Sequence, residues 1–182
     1  TRVRSSAASD VYKRQAFLAA DKGMKVTLFD ARERPGGTCL HVGCIPSKAV
    51  LHAAKLITDA CDAAHIGLTF ASPKIDLNGV RGHLTKVVDT LTGNLARLCK
   101  ARKVDYVHGR GRFADGRTIE TEGGGRYRFE NCIVATGSVP VVPPSLKLDS
   151  SRVTDSTGAL KLEDVPPRLL VVGGGYIGLE MG

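Results

Sequence analysis

The chain has 182 residues, 42% of them hydrophobic, with a mean hydropathy of −0.05 and a formal net charge of +8. That is the composition of a globular protein able to bury one full core of about 100–200 residues; the run Leu169-Leu170-Val171-Val172 is far short of the roughly 18–20 apolar residues of a membrane helix, and no apolar signal-peptide core opens the chain, so a cytoplasmic protein without membrane contact is expected. The charge does not point to nucleic acid: +3 of it falls in the first fifteen residues, the cluster Arg97, Lys100, Arg102, Lys103, Arg110 and Arg112 reads as a solvated basic face, and five Phe, four Tyr and no Trp make no stacking platform.

Residues 1–15 show neither helical nor strand periodicity and change character at Ala16, so the sequence predicts that they are a non-native extension outside the fold. From Ala16, Ala-Phe-Leu-Ala-Ala-Asp-Lys-Gly reads as the tail of an amphipathic helix stopped by Gly23, and Lys25 to Asp30 as a buried strand. Helix, glycine, β-rich run and terminal acid form the second half of a βαβ dinucleotide unit, with Asp30 placed to bond a ribose; the first strand and its G-x-G-x-x-G phosphate loop are expected to be missing. Ile45 to Ala64 is alanine-rich and helical. Leu77, Val80, Leu84, Val87, Val88, Leu91, Leu95 and Leu98 recur every three or four residues and predict a long helix capped by Asp76. Short β runs at 106–107, 118–121, 127–129 and 133–134, separated by glycines, predict an antiparallel meander. Prolines at 140, 143, 144, 166 and 167 bracket a linker, after which Arg168 to Val172 reads as a strand leading into Gly173-Gly174-Gly175-Tyr176-Ile177-Gly178.

Two segments carry chemistry. In the second, Gly173, Gly175 and Gly178 follow an apolar run and precede helix formers: the first glycine makes the tight turn, the second lets backbone approach a pyrophosphate, and the third permits close helix packing. In the first, GGTCLHVGCIPSK at 36–48, Cys39 and Cys44 stand apart from Cys61, Cys99 and Cys132, which sit singly in apolar contexts. In one continuous helix the two α-carbons would lie roughly 8–9 Å apart, beyond disulfide reach, so Cys39 is expected in a loop. Pro46 suits a first helical turn and puts Cys44 near a helix N-terminus, where the macrodipole favours thiolate; Lys48 follows one turn later. A zinc site using His41 or His52, or two structural thiols, are the competing readings; no second ligand pair at matching spacing supports the metal.

With GGTCLHVGCIPSK, Ala135-Thr136-Gly137-Ser138, the stretch DSTGAL at 155–160 and GGGYIGLEMG at 173–182, residues 16–182 resemble the flavin-dependent pyridine nucleotide–disulfide oxidoreductases. Ser47-Lys48 and DSTGAL are most similar to the dihydrolipoyl branch, with the mercuric and glutathione branches as alternatives. The resemblance implies an α/β fold: a Rossmann-like FAD-binding domain at 16–150 with an antiparallel meander, truncated at both ends, then at 151–182 a linker and the start of an NAD-binding domain. It implies that Cys39 is the interchange thiol, Cys44 the charge-transfer thiol facing the flavin, and Lys48 a flavin neighbour paired with Glu180. Asp30, Gly36, Gly37, Thr38, Gly111, Ala135, Thr136 and Gly137 fall at FAD positions, and Gly173, Gly175, Tyr176, Ile177 and Gly178 at positions of the NAD fingerprint. His41 replaces the more frequent Asn. The implied reaction takes electrons from a dihydrolipoyl group through the disulfide and FAD to NAD, in a homodimer that serves the lipoylated acyltransferase of a 2-oxoacid dehydrogenase complex, with a His–Glu base from the partner subunit. The 182 residues alone are expected to be an inactive fragment.

Overall fold

The computed structural model describes residues 2–5 and 9–182, with side chains from residue 14 onward. By its contacts the chain divides into two compact units, Thr1–His41 with Asp89–Val139, and Val42–Val88 with Pro140–Gly182. Both are discontinuous in sequence.

The first unit is built on a four-stranded parallel sheet in the order β3-β2-β1-β7: β1 is Arg2–Ser5, β2 Thr27–Asp30, β3 Asp105–His108 and β7 Cys132–Ala135. Helix α1, Ser9–Asp21, connects β1 to β2. It ends as expected: Gly23 takes φ +79°, and its N–H and that of Met24 donate to the carbonyls of Ala20 and Ala19, which closes the last turn. Residues 2–5 and 9–15 are therefore strand and helix, contrary to the expectation that they stand outside the fold. The ladder explains the difference. Val3 pairs with both Leu28 and Ile133, and backbone groups can fill a central strand without side-chain periodicity. The first strand, expected to be missing, is thus present as β1, and residues 6–8, which follow it, lie outside the described residues.

The meander is shorter than the glycine spacing suggested. β4 (Gly111–Asp115), β5 (Thr118–Thr121) and β6 (Arg126–Arg128) pair antiparallel, whereas the runs at 106–107 and 133–134 belong to the parallel sheet. Those two runs flank the meander in sequence but carry apolar residues toward a helix-covered core, which suits a parallel strand. That core holds Ala16, Val26, Leu28, Cys99 and Val104, with Phe17, Tyr106 and Ile133 against it. A second cluster of Phe29, Ile119 and Phe129 joins sheet to meander, and the rings of Phe29 and Tyr127 meet edge to face at 4.9 Å.

The second unit is mainly helical. It contains α3 (Cys44–Asp62), the first half of α4 (Leu77–Ala101), α5 (Ser156–Ala159) and α6 (Tyr176–Met181). Asp76 caps α4 as the sequence predicts, its Oδ1 accepting the Asn78 N–H at 2.9 Å. Arg168 to Val172 forms no strand, a correction with a simple cause: a strand needs a ladder, and no strand among the described residues pairs with it. Leu170 stays 85% exposed there. No described helix is long and apolar enough to cross a membrane.

Candidate functional site

In the first unit the sequence-predicted residues gather where strands end. Strand β1 sits between β2 and β7, so the sheet changes direction of winding there, and open α/β sheets bind ligands beyond the carboxyl ends of their strands at such a point. Asp30 ends β2 and Ala135 ends β7. Asp30 is 1% exposed; its Oδ1 accepts the Arg32 N–H at 2.9 Å, while Oδ2 is buried without a partner among the described residues. Burial pushes its carboxyl above the ordinary range, against the opposing pull of the Arg32 N–H and the Arg32 and His108 charges. A buried carboxylate oxygen without a donor costs stability, and a ribose hydroxyl supplies what it lacks. The free acceptor on Asp30 therefore fits a ribose hydroxyl, as the flavin resemblance implies.

The turn beyond Asp30 is braced from β3. Tyr106 Oη donates to the Arg32 carbonyl at 2.8 Å, the Gly109 N–H donates to the Asp30 carbonyl at 2.7 Å, and a ring nitrogen of His108 lies 3.2 Å from the Ala31 carbonyl. The sequence analysis did not single out these braces, because they pair residues 74 to 79 positions apart; only the Asp30–His108 strand register brings them together. Gly36 and Gly37 are buried at the start of α2, Gly37–Val42. A Cβ at Gly36 would come within 2.7 Å of the ends of the Leu40 and His41 side chains, which would have to shift to admit it. Thr38 and Cys39 follow, half-buried, within α2. The expected loop position of Cys39 is thus corrected: it lies in a short helix, separated from the helix of Cys44 by Gly43. Gly111 is buried at the start of β4, and Thr136 and Gly137 continue beyond β7.

In the second unit Cys44 is the first residue of α3, as predicted, and is exposed; Pro46 and Ser47 are buried in the same turn. Lys48 Nζ donates to Glu180 Oε1 in an ion pair and to Tyr176 Oη at 3.0 Å, and lies 4.8 Å from the centre of the Tyr176 ring. Ser47 Oγ lies 3.3 Å from Glu180 Oε2 and 3.1 Å from the Cys44 carbonyl. Helix α6 starts where the glycine motif places it. A Cβ at Gly178 would sit 2.3 Å from the Gly173 carbonyl oxygen, a backbone atom that cannot yield, while Gly175 occupies the N-cap and Ile177 is 58% exposed. The structure thus joins Lys48, Tyr176 and Glu180, and adds Ser47, which the sequence analysis left without a role. A serine three residues beyond a helix-starting cysteine, within reach of that cysteine's carbonyl, was the available signal. Among the described residues no group of three or more His, Cys, Asp or Glu is placed to hold a metal ion.

The pairing shifts both charges. The bond to Lys48 holds the Glu180 carboxyl below its usual range, helped by Tyr176 and Ser47, and the bond to Glu180 holds the Lys48 ammonium above its usual range, helped by Tyr176. For Glu180 the link contributes fully above the ordinary glutamate value of about 4.3 and is lost as pH falls through its lowered value; for Lys48 it contributes fully below about 10.4 and is lost as pH rises through its raised one. The melting-temperature difference between the chain and its Glu180→Gln variant is therefore expected to stay level between about pH 5 and 10 and to shrink outside that window. It will be small, because Lys48 is 47% exposed. A difference that grew on acidification would contradict the pair.

A sequence profile described as pyridine nucleotide-disulphide oxidoreductase matches residues 14–182. Dihydrolipoyl dehydrogenase of Vibrio parahaemolyticus is 45% identical over 170 residues, and that of Haemophilus influenzae 46% over 171, in each case across 92% of this chain and 36% of the relative. Among solved structures, the HOCl-induced flavoprotein disulfide reductase RclA from Escherichia coli superposes with a TM-score of 0.80 at 26% identity, over 99% of this chain and 38% of that one. The chain spans little more than a third of the length of the proteins it matches.

Proposed function

The chain belongs to the pyridine nucleotide-disulphide oxidoreductase family, and on that premise we propose that it is part of a dihydrolipoyl dehydrogenase, which oxidises dihydrolipoyl groups through a Cys39–Cys44 disulfide and FAD, with NAD as final acceptor. The observation that carries this reading is the 45–46% identity to dihydrolipoyl dehydrogenases over 92% of the chain, which includes the whole redox segment.

When bound, FAD supplies the two-electron carrier between the dithiol and the pyridine nucleotide. The chain's residues do the rest. Asp30 takes the ribose through its unpartnered oxygen, and the backbone at Gly36, Gly37, Thr38, Gly111, Ala135, Thr136 and Gly137 lines the cofactor. A thiolate of the substrate attacks Cys39 Sγ of the disulfide, forming a mixed disulfide and releasing Cys44 as thiolate; the second substrate thiolate then displaces Cys39 and closes the lipoyl ring. Cys44, at the N-terminus of α3, is placed where the helix dipole favours that thiolate. Lys48, fixed by Glu180 and Tyr176, presents a positive charge one turn further on. The glycines 173, 175 and 178 with Tyr176 and Ile177 open the NAD fingerprint. The working enzyme is a cytoplasmic homodimer whose partner subunit contributes the general base, and it draws its substrate from the lipoylated acyltransferase of a 2-oxoacid dehydrogenase complex.

The test is substrate choice. The chain, extended with the C-terminal part of a dihydrolipoyl dehydrogenase and given the family's phosphate loop, is expected to reduce NAD with dihydrolipoamide. Reduction of glutathione disulfide or mercuric ion, with dihydrolipoamide ignored, would move it to another branch.

A further inference from the structure

Ser47 is 4% exposed, and its hydroxyl carries one hydrogen. Two acceptors compete for it: the Cys44 carbonyl at 3.1 Å and Glu180 Oε2 at 3.3 Å. Neither acceptor can donate while Glu180 is ionised, so the hydroxyl serves one of them at a time. We propose that Ser47 is a positioning residue whose hydroxyl turns between Glu180 and the Cys44 carbonyl, and so couples the charge on Glu180 to the first turn of the helix that bears Cys44. Its relevance to the redox cycle rests on the reading of Cys44 as a redox thiol.

The direction of the coupling follows from acceptor strength. A hydrogen bond to an ionised carboxylate is roughly twice as strong as one to a neutral carbonyl, so ionised Glu180 draws the hydroxyl even at the slightly longer distance. A protonated Glu180 becomes a donor instead. It then gives its proton's hydrogen bond to Ser47 Oγ, and the hydroxyl turns to the Cys44 carbonyl. The O–H bond of Ser47 never breaks. Lys48 acts on the same carboxylate: by holding Glu180 ionised it holds Ser47 away from Cys44. A change in charge beside Lys48 thereby reaches the peptide group next to the thiol through a single rotor.

The other groups that could titrate here are few. On α3 they are Lys48 and the exposed thiol of Cys44; on α6, Tyr176 lies beside Glu180; and α5, packed on α6, brings Asp155, whose Oδ1 already accepts the Gly158 N–H at 2.9 Å.

The test needs no flavin and no turnover. Carbon-13 NMR of the 182-residue chain reads the Cys44 carbonyl, whose resonance moves downfield when it accepts a stronger hydrogen bond. At pH 7, Glu180→Ala is expected to shift that resonance downfield, because the hydroxyl has lost its preferred acceptor. The same substitution made on Ser47→Ala is expected to leave it unmoved, and made on Ser47→Thr to shift it again. In the unsubstituted chain, titration from pH 7 to pH 3 is expected to give a Cys44 carbonyl step at the midpoint of the Glu180 side-chain carboxyl, which settles the matter even if Ser47→Ala fails to fold. A shift on Glu180→Ala that persists without the hydroxyl, or a carbonyl that stays flat through the Glu180 titration, would overturn the proposal and reduce Ser47 to a fixed structural contact. Either result leaves the dithiol assay untouched, so the two readings fail separately.

Discussion

Cys44→Ser, in the chain extended to a full dihydrolipoyl dehydrogenase, is expected to lower dihydrolipoamide oxidation by about 10⁴-fold or more, the scale on which removing a reacting group that works as part of a unit acts. A serine keeps the size of the side chain and the start of α3, but its oxygen forms no bond to Cys39 Sγ that a thiolate can exchange. The substrate then meets a lone Cys39 thiol with no disulfide to attack. Cys132→Ser serves as the control. Cys132 lies in β7 against the Phe29 cluster, so its loss affects packing and not electron flow, and activity should stay within a few-fold of the parent. Steady-state rates of NAD reduction distinguish the two, and a Cys44→Ser variant with parental activity would remove the thiol from the reaction.

Phe29→Ala is expected to destabilise the first unit by about 3–5 kcal/mol, the usual cost of emptying a buried phenylalanine site. Phe29 is 1% exposed in β2, and it alone of the strand's residues anchors the cluster with Ile119, Phe129 and Tyr127 that ties the parallel sheet to the meander. The cavity opens beside Asp30, so loss of packing and loss of the cofactor-facing turn go together. For a protein of this size the change corresponds to a fall of about 10 °C in melting temperature. Phe70→Ala, at a ring 62% exposed, should move it by no more than about 1–2 °C. Thermal unfolding followed by circular dichroism compares them directly, and equal shifts would show that Phe29 does not hold the unit together.

The helices were legible because their signals are local. Gly23 closes α1 through bonds to Ala19 and Ala20, Asp76 caps α4, and both rules span only four or five residues. The strands were legible as strands but not as partners. The runs at 106–107 and 133–134 read like the glycine-separated runs between them, and only pairing with β2 and β1 assigns them to the parallel sheet. Residues 2–5 show the opposite failure, since a ladder between two apolar neighbours can take up a strand whose own sequence shows no alternation. In the second unit, Lys48 and Glu180 were matched through family resemblance, yet Ser47 escaped notice: its partners are the carbonyl three residues back and a carboxylate 133 positions on. The orphaned oxygen of Asp30 was likewise invisible, for burial is a property of the packed sheet and not of the residue.

The central claim is that Cys39 and Cys44 form the redox disulfide, and peptide mapping under non-reducing conditions after mild oxidation of the 182-residue chain tests it most directly. The account predicts one dominant cross-link, Cys39 to Cys44, with Cys99 protected by burial, where its thiol is also pushed above the usual range, and Cys61 and Cys132 recovered as single thiols. A dominant bridge that included Cys61, Cys99 or Cys132 would contradict it.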